Sequence, residues 1–303
     1  MATIEQLQQK FGIPGAVEFG LHPSGLTQAT VSKDGHSAVV MLHGAHVVSY
    51  RGPDGDDILW MSRQSWFENG KPIRGGVPIC FPWFGPKADD ARAPGHGFAR
   101  LLEWQVALAT TLDDGRVRLV LVLMDNQHTR RLWNHQFRLA FGATIGGGAL
   151  ELRLSVANTG KEPLEFTEAL HTYLSVGDVR KVSIGGLERT EYVDKVSQPP
   201  WNMSGDKPIM FTGETDRVYL NTQNECILDD PVLNRRITVA KTGSKSTVIW
   251  TPWIDKAKRM EDFGDDEWTS MVCIETANAL ENTVKVSPGA FHEMAAVISS
   301  QPR

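Results

Sequence analysis

Along much of this chain apolar and polar residues alternate with a period of two. In Leu150-Glu-Leu-Arg-Leu-Ser-Val156 the apolar side chains share one face and the polar ones the other, the mark of a strand with one buried side. Comparable strand signals run over 38–42, 47–50, 104–109, 117–124, 137–145 and 150–157, and the rhythm continues to Val297. The turn signals between such runs, Asp54-Gly55, Asp113-Asp-Gly115, Gly146-Gly-Gly148 and Asn158-Thr-Gly160, predict chain reversals that join antiparallel strands. One segment has a different period. Thr3 and Gln6 have capping-box spacing, and Ile4, Leu7 and Phe11 fall on one helical face before Gly12 and Pro14, so one short helix is expected there. No repeat with a period of about 20 to 50 residues and no low-complexity linker divides the chain. The expectation is an all-β protein, a large antiparallel β-sandwich with few short helices, in one unit spanning 1–303.

Composition narrows the function classes. With 41% hydrophobic and 22% charged residues the chain is of ordinary globular type, and its apolar runs are strand-sized, below the roughly 18 residues of a membrane span. Met1 to Gly20 carry no secretory pattern. The three cysteines, Cys80, Cys226 and Cys273, are odd in number and widely separated, which suits buried reduced thiols and a cytoplasmic location. A net charge of -5 gives no field for nucleic acid, although a few converging arginines could still hold a small anion. His43 and His46, three apart in a strand-like run, would face opposite ways, so no metal site is expected there. The acidic run Glu261 to Glu267 lacks calcium-loop spacing and reads as a solvated loop.

Two residues interrupt apolar strands. In Leu164 to Val176 the alternation puts Phe166, Glu168, Leu170 and Thr172 on one face and Thr167, Ala169, His171 and Tyr173 on the other. In Met271 to Asn278 the carboxylate of Glu275 breaks a run that would otherwise be wholly buried. A buried carboxylate costs several kcal/mol unless it is paired or used. A salt bridge for Glu275 and a structural hydrogen bond for His171 are the ordinary readings. Together, however, a carboxylate and an imidazole supply the acceptor and donor that opening a cyclic sugar requires, provided a nearby negative charge raises the imidazole pKa.

Two further segments, Arg74-Gly-Gly-Val-Pro-Ile-Cys-Phe-Pro-Trp-Phe-Gly85 and His96-Gly-Phe-Ala-Arg100, followed in order by Glu168-Ala-Leu-His-Thr-Tyr173, Thr215-Asp-Arg-Val-Tyr219 and Cys273-Ile-Glu-Thr-Ala277, make the chain resemble the galactose mutarotase-like superfamily, in its hexose-6-phosphate epimerase branch. The resemblance implies a many-stranded β-sandwich with a sugar groove on a concave sheet face. It implies interconversion of the α and β anomers of a hexose 6-phosphate, expected to be glucose 6-phosphate, without a cofactor or a metal. By the same resemblance His171 is the general acid and Glu275 the general base. His96 lies by the ring oxygen and could share the acid role. Arg74 and Arg100 stand at the phosphate end with Lys87 as a third cation, Asp216 binds sugar hydroxyls, and Trp83 walls the groove. Gly95 departs from relatives with a polar side chain there, which bears on sugar preference. The expected partner is a small sugar phosphate, with no nucleic acid or membrane, and the protein is expected to act as a monomer. Two alternatives stay open, an aldose 1-epimerase of unphosphorylated sugars and a non-catalytic carbohydrate-binding module.

Overall fold

A computed structural model describes residues 2–303, and its strands lie in two eight-stranded sheets, a four-stranded sheet and a two-stranded pair, every named pairing antiparallel. The back sheet runs in the order Ser183–Gly185, Cys226–Asp230, Arg235–Thr242, Phe291–Pro302, Ala149–Asn158, Phe137–Gly146, Val117–Met124, Gln105–Thr111. The site sheet runs Trp201–Met203, Glu191–Asp194, Thr215–Leu220, Ser246–Thr251, Met271–Asn278, Glu168–Leu170, Ile79–Cys80, with Tyr173–Ser175 also paired to Met271–Asn278. Among the described residues no helix is long and apolar enough to cross a membrane.

The alternation seen in the sequence becomes burial. Val117, Leu119, Leu121 and Leu123 point into the core while their neighbours are half exposed. The neighbouring strand Phe137–Gly146 does the same with Phe137, Leu139 and Phe141, and each such side chain contributes about 1.5 to 3 kcal/mol on burial. Thr3 caps the helix Ile4–Phe11 by accepting from Gln6 N–H, and Gln6 reaches back to the Thr3 amide at 2.9 Å.

One turn and one strand differ from expectation. Asp113–Gly115 and Gly146–Gly148 do join paired strands, but Asn158-Thr-Gly160 does not. Asn158 accepts from the Gly160 amide and donates to the carbonyls of Glu162 and Val286, which turns the chain out of the back sheet toward Leu164–Phe166 and its partner Val284–Val286. The segment 164–176 is three short strands rather than one. Its second break is a tight turn at His171, where Thr172 N–H donates to Leu170 C=O at 2.9 Å.

Five aromatic rings anchor the glycine-proline segment. Phe81 meets Phe98, Trp133, Phe137 and Phe166 edge-on at centroid distances of 5.2–6.3 Å, an arrangement worth more than area alone. This fixes the chain on both sides of His96, because Phe81 also bridges Gly97 in parallel register. Gly97 has φ +74°, and a Cβ there would lie 1.9 Å from the Phe81 carbonyl oxygen, so only glycine allows the approach.

Candidate active site

Register brings the chemistry together. Leu170 pairs with Thr276 and Tyr173 with Cys273, so His171 sits opposite Glu275 between them. Val248 lies beside Glu275 on the next strand. The adjoining row holds Tyr173, Cys273, Trp250 and Asp216, and since side chains alternate across a sheet these residues share the face of Glu275. The opposite face turns to the back sheet, as Asn278 shows by meeting His292 and Met294.

His171 Nε2 lies 3.3 Å from Glu275 Oε1, and both side chains are nearly buried, 9% and 1% exposed. The His171 ring stacks on Tyr173 at 4.7 Å and meets His96 edge-on at 5.7 Å and Trp250 at 6.0 Å. Burial pushes the Glu275 carboxyl well above its usual range, helped by Asp216 and opposed by Lys195. Burial likewise pushes His171 well below its usual value, with His96, Arg74 and Arg100 adding to the fall. The sequence argument looked for an imidazole raised by its carboxylate neighbour. Desolvation and three surrounding cationic or potentially cationic groups outweigh that attraction. The two groups, in contact and shifted in opposite directions, form one pair in which burial favours the neutral form of each.

Arg74 is held in place before any ligand arrives. Its Nη1 donates to Tyr173 Oη at 2.9 Å and its Nε to Asp262 Oδ2 at 3.2 Å. Burial disfavours its charge, but Tyr173 and Asp262 outweigh this and raise its pKa. The acidic run was expected to be a solvated loop. Instead Asp262 and Glu267 are buried, and Glu267 bonds the hydroxyl of Ser62, the amide of Arg63 and the amide of Gly264. Carboxylates placed this way find donors that no spacing rule reveals.

The remaining candidates separate. His96 stands against Phe84 at 4.9 Å, and its pKa falls to about 3 through burial first and then the charges of Arg100, Lys195 and Arg74. Arg100 donates to the Gly95 carbonyl at 2.7 Å. Asp216 is 3.5 Å from Lys195, whose ammonium lies 4.8 Å from the centre of the Phe84 ring. Trp83 is turned inward, 9% exposed, with its Nε1 donating to the Pro94 carbonyl, so the ring beside His96 is that of Phe84. Lys87 is engaged by Asp89 and lies over Trp83. Among the described residues it has no contact with His171 or Glu275. Sequence reasoning missed Lys195, Asp262 and Phe84. Lys195 follows Asp194, whose carboxylate caps the next turn through the amides of Val196 and Ser197, and that Asx turn is the one local signal that marked its position.

His43 and His46 are braces, each with Nε2 bonded to a carbonyl, of Lys71 and Gly75. His171, Cys273 and Glu275 offer donor atoms within 4.8 Å of one another. Burial first, and Glu275 after it, hold the Cys273 thiol well above its usual pKa. A cavity of about 550 Å³ lies elsewhere, beside the N-terminal helix among Leu7, Phe11, Leu42, Trp104 and Val106.

The chain is similar to known proteins over most of its length. Residues 27–299 match the family described as aldose 1-epimerase. An Escherichia coli K12 protein named "Putative glucose-6-phosphate 1-epimerase" is 39% identical over 246 residues, 81% of each chain. A crystal structure titled as a "putative mutarotase" from Salmonella typhimurium is 32% identical, with a TM-score of 0.88 over 96% of this chain and 95% of that one. A galactose mutarotase related enzyme from Lactobacillus acidophilus shares the fold at 16% identity, with a TM-score of 0.73 over 90% of this chain and 97% of its own.

Proposed function

From the premise that this chain belongs to the aldose 1-epimerase family, we propose that His171 and Glu275 open and reclose the ring of a hexose 6-phosphate and so exchange its α and β anomers. The protein is an isomerase, and glucose 6-phosphate is its substrate. The observation that carries the mechanism is the 3.3 Å contact between His171 Nε2 and Glu275 Oε1. The hydroxyl oxygen and the ring oxygen of a cyclic sugar are bonded to the same carbon. Two groups in mutual contact can therefore reach both.

In the opening step Glu275 takes the proton of the C1 hydroxyl, the C1 to ring-oxygen bond breaks, and the ring oxygen receives the proton of the His171 imidazolium. An aldehyde and a free C5 hydroxyl result, with the pair's proton now on the carboxyl. Rotation about C1–C2 and the reverse transfers close the ring on the other face. Burial favours the neutral pair that opening produces, which helps the forward transfer. The substrate phosphate, placed by Arg74 and Arg100, offsets the two guanidinium charges that depress His171 in the free protein. Substrate binding thus makes its own acid easier to protonate. Arginine suits this task because its planar fork matches phosphate oxygens. His96 donates to the ring oxygen, and Asp216 with Lys195 holds sugar hydroxyls.

Three buried free thiols support a reducing, cytoplasmic setting, and the proposed working form is a monomer. The test is NMR exchange spectroscopy of purified protein with glucose 6-phosphate. Faster α/β exchange than in buffer is expected, and exchange at the uncatalysed rate overturns the proposal.

A further inference from the structure

His96 is clamped at its backbone and at its ring by the same neighbour. Its φ is +61°, a left-handed conformation that a non-glycine residue keeps only when its surroundings hold it. The His96 amide donates to the Gly85 carbonyl at 2.6 Å, and its own carbonyl accepts from the Phe81 amide at 3.3 Å. The Gly85 amide returns a hydrogen bond to His96 Nδ1 at 3.3 Å, and Cys80 Sγ lies 3.5 Å from that same nitrogen.

A backbone amide can only donate, so the Gly85 contact favours an Nδ1 that offers its lone pair and carries no proton; at 3.3 Å it is a long bond, and the tautomer rests on it together with the Cys80 thiol. The single proton of the neutral ring is then on Nε2. The sulfur contact must in turn be S–H to Nδ1, because the nitrogen has nothing to give. Burial agrees with a protonated thiol, since it pushes Cys80 up to about 12. Adding a second proton at Nδ1 would set N–H against N–H at Gly85, beside the charges of Arg100, Lys195 and Arg74.

We propose that Cys80 is a positioning residue: its thiol and the Gly85 amide together lock His96 as the Nε2–H tautomer, a fixed hydrogen-bond donor facing the site. This rests on the placement of His96 in the site argued above, and it divides the labour of the two histidines. His96 polarises the ring oxygen without giving up a proton. The mobile proton belongs to His171 and Glu275. Cys80 is suited to this from its place in the sheet, opposite Ala169 on the row next to His171 and fully buried.

The experiment combines long-range ¹H–¹⁵N spectra of the histidine rings with turnover of glucose 6-phosphate by wild type, Cys80→Ala, Cys80→Ser and His96→Asn. In the wild type His96 should show an unprotonated Nδ1 and a protonated Nε2 that do not change between about pH 5 and 8. Cys80→Ala should lower kcat by about three- to tenfold, the worth of one neutral hydrogen bond, leave KM nearly unchanged, and mix the tautomers. Cys80→Ser, which keeps a donor, should restore both. A wild-type spectrum with the proton on Nδ1 overturns the proposal whatever the variants do, as does Cys80→Ala with unchanged kcat and spectrum. Full activity in His96→Asn would instead sink the role of His96, a separate failure that the wild-type spectrum does not share.

Discussion

His171 faces Glu275 across neighbouring strands whose register survives a break in the ladder: the pairs Leu170 with Thr276 and Tyr173 with Cys273 fall on one continuous count. The break at His171 loosens the backbone and leaves the alignment intact. The contact between these side chains is therefore built into strand pairing.

Removing either partner should abolish most turnover. Glu275→Gln and His171→Asn are each expected to lower kcat by about 10² to 10⁴, the usual contribution of a positioned acid or base, as read by NMR anomer exchange. Glu275→Gln should also be more stable than wild type at alkaline pH. The raised carboxyl keeps its proton in the fold while the unfolded chain releases it, so wild-type stability falls as pH rises from the unfolded value toward the folded one. The variant lacks that decline, and thermal unfolding at pH 5 and pH 8.5 would reveal it.

Arg74→Ala should raise KM for glucose 6-phosphate by about 10- to 100-fold, since hydrogen bonds to charged groups are worth about 1.5 to 3 kcal/mol. Turnover of unphosphorylated glucose or galactose should change little. An equal loss on both kinds of sugar would make Arg74 a brace only. Asp262→Asn leaves the arginine in place but loosens its anchor, and a smaller, several-fold increase in KM is expected.

Acid should weaken the fold through His46. This ring is fully buried, bonded to the Gly75 carbonyl at 2.7 Å, and its pKa is lowered to about 3 by burial. Below the unfolded value of about 6.5 the unfolded chain takes up a proton that the fold refuses. The contribution of His46 is complete above that value and declines as pH falls toward 3. At pH 5 the loss is about 2 kcal/mol, at 1.36 kcal/mol per unit. Denaturant titrations at pH 7 and pH 5 should show it, and His46→Gln, which cannot protonate, should show less.

Glu168 ties the two large sheets together, lying 2.9 Å from His292 of the back sheet and 2.9 Å from the Asn278 amide nitrogen. Glu168→Ala strands these partners and should cost about 3 to 5 kcal/mol in denaturant unfolding. The folded fraction should keep its kcat, because Glu168 points away from the face that holds Glu275.

How far the sequence could be read depended on whether a signal was local. Period-two burial in 117–124 and the Thr3 capping box are local, and both appear where they were expected. The break at His171 is not local, since it needs the Pro78 carbonyl to accept the His171 amide at 3.0 Å, a contact set by the fold. Burial of Asp262 depends on Arg74, far away in the chain, so composition pointed to solvent. Trp83 and Phe84 adjoin each other, and a cluster of aromatic residues cannot say which ring turns inward. Motif resemblance supplied the site residues, but protonation had to be argued from packing.

A sheet-borne pair has a kinetic consequence as well. Because donor and acceptor are already aligned by hydrogen-bonded main chain, no hinge or lid must assemble them, and turnover need not wait for a slow conformational cycle. Such a protein works as a stiff template, with sugar rotation supplying the motion that many other catalysts obtain from their own backbone.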